Sequence, residues 1–311
     1  MAEKISNLFT DSKTEAKVLI GYACNNNCVF CYEKSRRWLP EKTTLELKDE
    51  ITAARKKGLR KLHLIGGEPT IRPDMPDLVL HAKRTGFKNI MLTTNGRMLS
   101  YIGLARELIT SGVTQFIFSI HGHNAALHDG LTGAKGSFKE AMSGIKNLEK
   151  LRFPQISANS VVTKKNYMYA PLIAGLFEKH KIRRVDFIYC AVIEGNSFCD
   201  LTPRASDSYK YIMKALRIGV KYGYRWVLRN PPMGCYFSGT QNISCGDSRD
   251  EKLFLKGKIY RDYHGVSKKK IINYTKLPLC GSCLISERCP GIQKLYLKNY
   301  GAGEIKPILK I

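Results

Sequence analysis

Apolar, β-branched runs alternate along the first two thirds of the chain with stretches whose apolar positions recur every three to four residues. The runs at 17–22, 61–65, 89–93, 115–120, 156–162 and 185–189 have the length and residue types of buried strands. Between and after them, 45–57, 74–84, 102–110, 138–150, 170–180 and 206–222 carry the helical period. Six repeats of strand followed by helix imply an α/β fold with a parallel sheet, because a parallel neighbour needs a crossover of about a dozen residues. Right-handed crossovers leave such a sheet open or curl it into part of a barrel, and ligands then bind beyond the C-terminal strand ends. The expectation is a partial (β/α)6 barrel.

Past residue 223 the pattern changes. Asn230-Pro231-Pro232-Met233-Gly234 interrupts it, glycine and cysteine become denser, and FLKGKIY at 254–260 has the form of a hairpin. A core over 1–223 and a small cysteine-rich module over 224–311 are expected.

With 311 residues, 43% of them hydrophobic, the chain can fill a sizeable core. It has no apolar segment behind a basic start and no run of eighteen apolar residues, so a cytoplasmic protein without a membrane span is expected. There, ten cysteines are poor disulfide material, and clustered ones point to metal or redox chemistry. A formal charge of +25 would draw the chain toward acidic partners. The charges lie in short groups such as Arg36-Arg37, Lys164-Lys165 and Lys268-Lys269-Lys270, which a solvated lysine-rich surface also explains. No zinc-finger spacing or RNA-reading aromatic motif accompanies them.

The densest chemistry directly follows the first strand, in CNNNCVFC. Cys24, Cys28 and Cys31 are spaced C-x3-C-x2-C. Three thiolates on a short loop can hold three corners of a cubane iron–sulfur cluster and leave the fourth iron without a protein ligand. A structural zinc would want a fourth ligand, and no histidine lies near. Asparagine tolerates the tight and left-handed turns that such a loop requires.

This loop, with Phe30 directly ahead of the last cysteine, resembles the hallmark of the radical S-adenosylmethionine (radical SAM) superfamily. Gly66-Gly67-Glu68-Pro69, after the second strand, resembles its GGEP motif, which receives the methionyl amino group of the cofactor. Thr94-Asn95-Gly96 is similar to its turn after the third strand, and Ser119 to its ribose-side hydroxyl. Asn159 and the VIEGNS run from Val192 resemble positions near ribose and adenine. The resemblance implies a [4Fe-4S] cluster on Cys24, Cys28 and Cys31 with S-adenosylmethionine on its open iron. It implies reductive cleavage to a 5′-deoxyadenosyl radical that abstracts hydrogen from substrate. It also implies an acidic electron donor, ferredoxin or flavodoxin, which the basic surface could dock by electrostatic steering.

In the C-terminal module, Cys280-x2-Cys283-x5-Cys289 resembles the auxiliary-cluster extensions called SPASM and twitch. The full SPASM pattern is broken at Gln293 and Asp262, where cysteines are usual, so one auxiliary cluster is expected rather than two. Cys235, Cys280, Cys283 and Cys289 are its expected ligands, with Cys245 as the rival fourth and Asp262 a remoter candidate. The same thiols would also suit zinc. Cys190 and Cys199 are expected to pack or line a cavity. His128 and Asp129, in HGHNAALHDGLTG, fit either an ordered substrate-side loop or a structural role, and Tyr32 and Glu33 are candidates to line the cofactor cleft.

The cysteine pattern of the module resembles most the enzymes that modify peptide or protein side chains, and that reaction class is expected. Oxidation or rearrangement of a small molecule or nucleotide, RNA modification, and a non-catalytic iron–sulfur sensor are the alternatives. Against the peptide reading, no separate leader-binding module is evident ahead of the cysteine loop. The GGEP-like motif argues against a sensor, which has little need of a SAM site.

Overall fold

The computed structural model describes residues 15–190, 200–232, 243–244, 274–284, 286–287, 289 and 291–309. The chain divides into two compact units. One is built from the segments up to Asn27, Cys31–Ser119 and Lys139–Ile156, the other from Cys28–Phe30, Ile120–Phe138 and the chain from Ser157 on.

In the first unit, strands β1 (Glu15–Leu19), β2 (Lys61–Ile65), β3 (Asn89–Thr94) and β4 (Gln115–Ser119) run parallel in chain order. Helices α1 (Thr44–Lys56), α2 (Met75–Arg84) and α3 (Ile102–Ser111) make the crossovers. Alternate strand residues, among them Val18, Leu62, Leu64, Leu92, Phe116 and Phe118, are buried. Helix α1 starts at a reciprocal cap in which Thr43 and Glu46 satisfy each other's backbone N–H groups.

The second unit continues the scheme. Strands β5 (Ile156–Val162), β6 (Arg184–Tyr189) and β7 (Arg225–Arg229) are parallel, joined through α6 (Ala170–Lys179) and α7 (Ala205–Lys221), and a short β8 (Ile243–Ser244) pairs with β7. Strand order follows chain order from β1 to β8. The α/β class, with strands wound parallel in chain order within each unit, is therefore as the sequence implies. Strand β7 is an addition: the parallel run extends past the six expected strands. At the C-terminal end β9 (Tyr274–Thr275) pairs antiparallel with β10 (Ile292–Gln293), and α8 (Lys294–Tyr300) follows. The hairpin expected at 254–260 lies outside the described residues.

Trp226 of β7 is fully buried, donates from Nε1 to the Ile182 carbonyl at 2.9 Å, and meets the rings of Phe177 and Phe187 at 6.4 Å. Helix α7 reaches it through Gly219, where a Cβ would stand 2.6 Å from the indole. Strand β7 is thus part of the unit's core. Trp226→Ala should cost about 3–5 kcal/mol in guanidinium unfolding, and a loss under about 1 kcal/mol would contradict that placement.

A further helix that the sequence left as loop, α4 (Ala125–Thr132), lies between β4 and α5 (Ser137–Lys150). Asn124 caps it by accepting from the Leu127 N–H at 2.9 Å. Asp129 is spent on the start of α5: it accepts from the N–H groups of Gly136 (2.7 Å) and Phe138 (2.8 Å) and from the Ser137 hydroxyl (2.9 Å). His128, fully buried, accepts the His121 N–H on Nδ1 at 3.1 Å, and His121 in turn accepts the Val161 N–H on its own Nδ1 at 3.1 Å. The two rings stack with 8° between their planes. Of the two roles expected for the His-Asp pair, these contacts serve the structural one.

Both imidazoles use Nδ1 as an acceptor, so both must be neutral with the proton on Nε2. Burial pushes His128 from 6.5 down to about 4 and pushes His121 down as well. Below pH 6.5 the unfolded chain takes up protons that the folded chain refuses. The His128 contribution is therefore complete above about pH 6.5 and falls as pH drops toward 4, by about 3 kcal/mol in all. His128→Gln should flatten the stability profile across that window in denaturant titrations at several pH values, and a slope as steep as the parent's would contradict this.

Candidate functional site

The loop after β1 is locked to the turn after β2. Ile20 extends the strand ladder by donating to the Ile65 carbonyl at 2.9 Å, and the Gly67 and Glu68 N–H groups then donate back to the carbonyls of Gly21 (2.9 Å) and Ala23 (2.8 Å). The glycine pair is what permits this approach. A Cβ on Gly67 would stand 2.0 Å from the Ala23 oxygen, and one on Gly66, at φ +150°, would stand 2.5 Å from the Gly21 oxygen. From the other side, the Glu41 carboxylate accepts the N–H groups of Tyr22 (2.9 Å) and Ala23 (2.7 Å). The following Pro69, itself buried, opens a 3-10 turn, Pro69–Ile71.

Glu68 is buried and its carboxylate is a junction. Oε1 accepts from the Thr70 N–H (3.0 Å), the Thr70 hydroxyl (2.5 Å) and the Thr94 hydroxyl (2.6 Å), and Oε2 accepts from the Asn95 N–H (2.6 Å). Burial pushes this carboxyl above its ordinary range, while the four donors pull against the rise. Asn95 carries the connection onward. Its Nδ2 donates to Asn25 Oδ1 at 2.6 Å and lies 4.0 Å from Cys24 Sγ, and its Oδ1 accepts the Arg97 N–H at 3.0 Å.

These contacts explain why asparagines follow Cys24. Asn25 offers a side-chain acceptor to Asn95. Asn26 is buried, donates its N–H to Cys24 Sγ at 3.4 Å, and accepts from Arg97 Nη1 on Oδ1 at 3.1 Å. Arg97 Nη1 also donates to the Asn25 carbonyl, and Arg37 Nη2 to the Asn26 carbonyl at 2.7 Å. Burial pushes the Cys24 thiol up, against the Asn26 N–H and the Arg37 charge. Glu41, Arg37 and Arg97 are site residues that sequence reasoning missed. Tyr32 is half exposed, and Glu33 forms an ion pair with Arg36 at 3.1 Å.

Cys24 and Cys31 belong to the first unit and Cys28 to the second. There, the Val29 N–H donates to the Leu131 carbonyl at 2.9 Å, and Phe30 sets its ring edge-on to His121 with centroids 4.7 Å apart. Phe30, Val29 and Val161 pack on a buried pair, Cys190 and Leu201. Cys190 is thus a packing residue, its thiol pushed up by burial to about 12. Asn159 on β5 is half-buried and its carbonyl takes the Ile120 N–H at 2.9 Å, while Ser119, half-buried, closes β4. Val192 and Cys199 lie outside the described residues.

In the C-terminal segment the 3-10 turn Pro278–Ser282 carries Cys280, with Cys283 directly after it. Each of the three thiols there accepts one backbone N–H at 3.4 Å: Cys280 from Leu277, Cys283 from Ile308 and Cys289 from Gly291. Hydrogen bonds to sulfur from outside a coordination sphere orient a thiol ligand. Gln293, at the position where the full SPASM pattern has a cysteine, is buried and sits within 3.4 Å of the Asn230 carbonyl. Cys235, Cys245 and Asp262 lie outside the described residues. Among the described residues no cysteine forms a disulfide, and no group of three or more His, Cys, Asp or Glu side chains already stands in a metal-holding arrangement.

Residues 18–168 match the family model of the radical SAM superfamily. An AdoMet-dependent heme synthase of Methanosarcina barkeri is 37% identical over 145 residues, 46% of this chain and 41% of the relative. A probable GTP 3',8-cyclase of Saccharolobus solfataricus is 30% identical over 155 residues, 49% of each chain. The chain thus spans about half the length of the curated relatives it matches. Among solved structures, Streptococcus suis SuiB bound to S-adenosylmethionine superposes with a TM-score of 0.55 at 17% identity, covering 69% of this chain and 46% of that one. A radical SAM methyltransferase from Sphaerobacter thermophilus gives 0.55 at 18% identity, covering 71% and 67%. These likenesses show a shared fold. With the cysteine loop and the glycine-rich turn locked together at successive strand ends, the match over residues 18–168 identifies that segment as a radical SAM domain.

Proposed function

We propose that Cys24, Cys28 and Cys31 hold a [4Fe-4S] cluster with S-adenosylmethionine on its open iron, and that the chain is a radical enzyme modifying a peptide or protein side chain. The observation that carries the cluster reading is that the loop bearing Cys24 is locked to the Gly66-Gly67 turn, through Gly67 N–H to the Gly21 carbonyl at 2.9 Å and Glu68 N–H to the Ala23 carbonyl at 2.8 Å. When bound, the cluster and cofactor supply a 5′-deoxyadenosyl radical able to take hydrogen from an unactivated carbon.

The chain's own residues bind and orient. Gly66, Gly67, Glu68 and Pro69 form the cofactor's methionyl cradle. Glu68, its carboxylate held by four donors, shapes that turn and leaves the amino group to the backbone around the glycines. Phe30, Asn95, Ser119, Asn159 and Val192 complete the cofactor surface. Cys280, Cys283 and Cys289, with Cys235 or Cys245, hold one auxiliary [4Fe-4S] cluster in a module over 224–311, beyond the cofactor-binding core over 1–223. The net charge of +25 suits a small acidic electron donor, ferredoxin or flavodoxin, in the cytoplasm.

The peptide reading rests on the C-terminal thiol pattern. A second reading, a small molecule, is favoured by the relatives named for GTP and for heme. 5′-Deoxyadenosine formation by the reduced protein separates the two according to which addition raises it: peptides, nucleotides or tetrapyrroles. Replacing Cys24, Cys28 and Cys31 together by alanine should abolish it and leave about four irons per chain, as one remaining cubane requires. Cleavage that survives this replacement would overturn the assignment of the first site, and near-zero iron with bound zinc would overturn that of the second.

A further inference from the structure

Two guanidinium groups grip the backbone that follows Cys24, and no motif calls for either. Arg97 Nη1 donates to the Asn25 carbonyl and, at 3.1 Å, to Asn26 Oδ1, while its Nε is fixed by Glu140 Oε2 at 2.5 Å. Arg37 Nη2 takes the Asn26 carbonyl at 2.7 Å. With both oxygens of Asn26 and the carbonyl of Asn25 held, the Asn26 N–H has one direction left to point, and it points at Cys24 Sγ. Arg97 is itself fixed at both ends: its N–H is bonded to Asn95 Oδ1 in the turn that Glu68 anchors, and Glu140 orients its side chain. A short loop with no element of its own is thereby held by side chains from two other segments of the chain.

We propose that Arg97, assisted by Arg37, is the positioning residue that presets the Cys24 thiolate for its iron. The proposal rests on the reading of Cys24 as a cluster ligand. Arg97 touches the two residues that set the direction of Cys24 and has no contact with the thiol itself. A planar fork can serve two acceptors and a carboxylate at once, whereas a lysine ammonium on a flexible stem cannot hold that geometry. Groups that orient metal ligands from outside the coordination sphere commonly govern metal affinity about 10–100-fold.

The test follows iron release from the reconstituted full chain to a chelator, with and without S-adenosylmethionine. The fraction that the cofactor protects reports the Cys24 loop, because only an iron without a protein ligand can take it. Arg97→Gln should lose that fraction about 10–100-fold faster than the parent, Arg97→Lys should behave nearer to Arg97→Gln than to the parent, and Arg37→Gln should shift the rate in the same direction. The melting midpoint of the metal-free Arg97→Lys protein should match the parent's, separating positioning from folding. Release at the parent rate in both Arg97→Lys and Arg37→Gln overturns the proposal even if Arg97→Gln fails to fold. A protected fraction that persists in Cys24→Ala would instead overturn the ligand reading beneath it.

Discussion

The buried carboxylate of Glu68 is the interaction on which the site is built. Removing a carboxylate from water is costly unless charge-assisted hydrogen bonds replace the lost hydration. Here four donors do so, and they come from two places: Thr70 in the same turn, and Thr94 with Asn95 in the turn after β3. One buried carboxyl group therefore fixes the spacing of two strand ends. Its main-chain neighbour Gly67 and its own N–H fasten the end of β1 as well. Three successive loops at the ligand end of the first unit thus share one frame, and Asn95 extends that frame to Asn25 beside the first thiol.

This arrangement gives the run of asparagines a physical meaning. A loop that carries closely spaced thiols must be polar enough to satisfy its backbone and rigid enough to keep the thiols aimed. Asn25 and Asn26 use side-chain and main-chain oxygens as anchor points for Asn95, Arg97 and Arg37, so the loop is ordered by its neighbours and not by regular secondary structure. A similar economy holds in the C-terminal segment. There, backbone N–H groups of Leu277, Ile308 and Gly291 point at three sulfurs, so the main chain orients the thiols without adding charged side chains.

Much of this was legible in residue order. The β-branched runs and the helical period located six strands and six helices to within a residue or three at each end, since both are local patterns. Strand β7 escaped because Arg225 and Arg229 bracket a run only three residues long, directly after a break in composition. Helix α4 escaped because it is eight residues long, holds a glycine and sits among histidines that suggest chemistry before structure. The chemistry-bearing residues of the first site, Cys24, Gly66, Gly67 and Glu68, were visible as motifs. Glu41, Arg37 and Arg97 were not, because contacts across 11 to 72 residues from a side chain to distant main chain leave no periodic trace. The same holds for His121, whose imidazole serves as an acceptor for the Val161 N–H of a neighbouring strand and gives no local sign of it.

We propose that the Cys24 loop, holding a cluster, leaves one iron open to the cofactor. The most direct measurement is the electron paramagnetic resonance spectrum of the reduced, reconstituted chain before and after addition of S-adenosylmethionine, in the parent and in Cys24→Ala. The cofactor should change the resonance of one cluster in the parent and nothing in the variant. A cluster-loaded parent whose spectrum is indifferent to S-adenosylmethionine would contradict it.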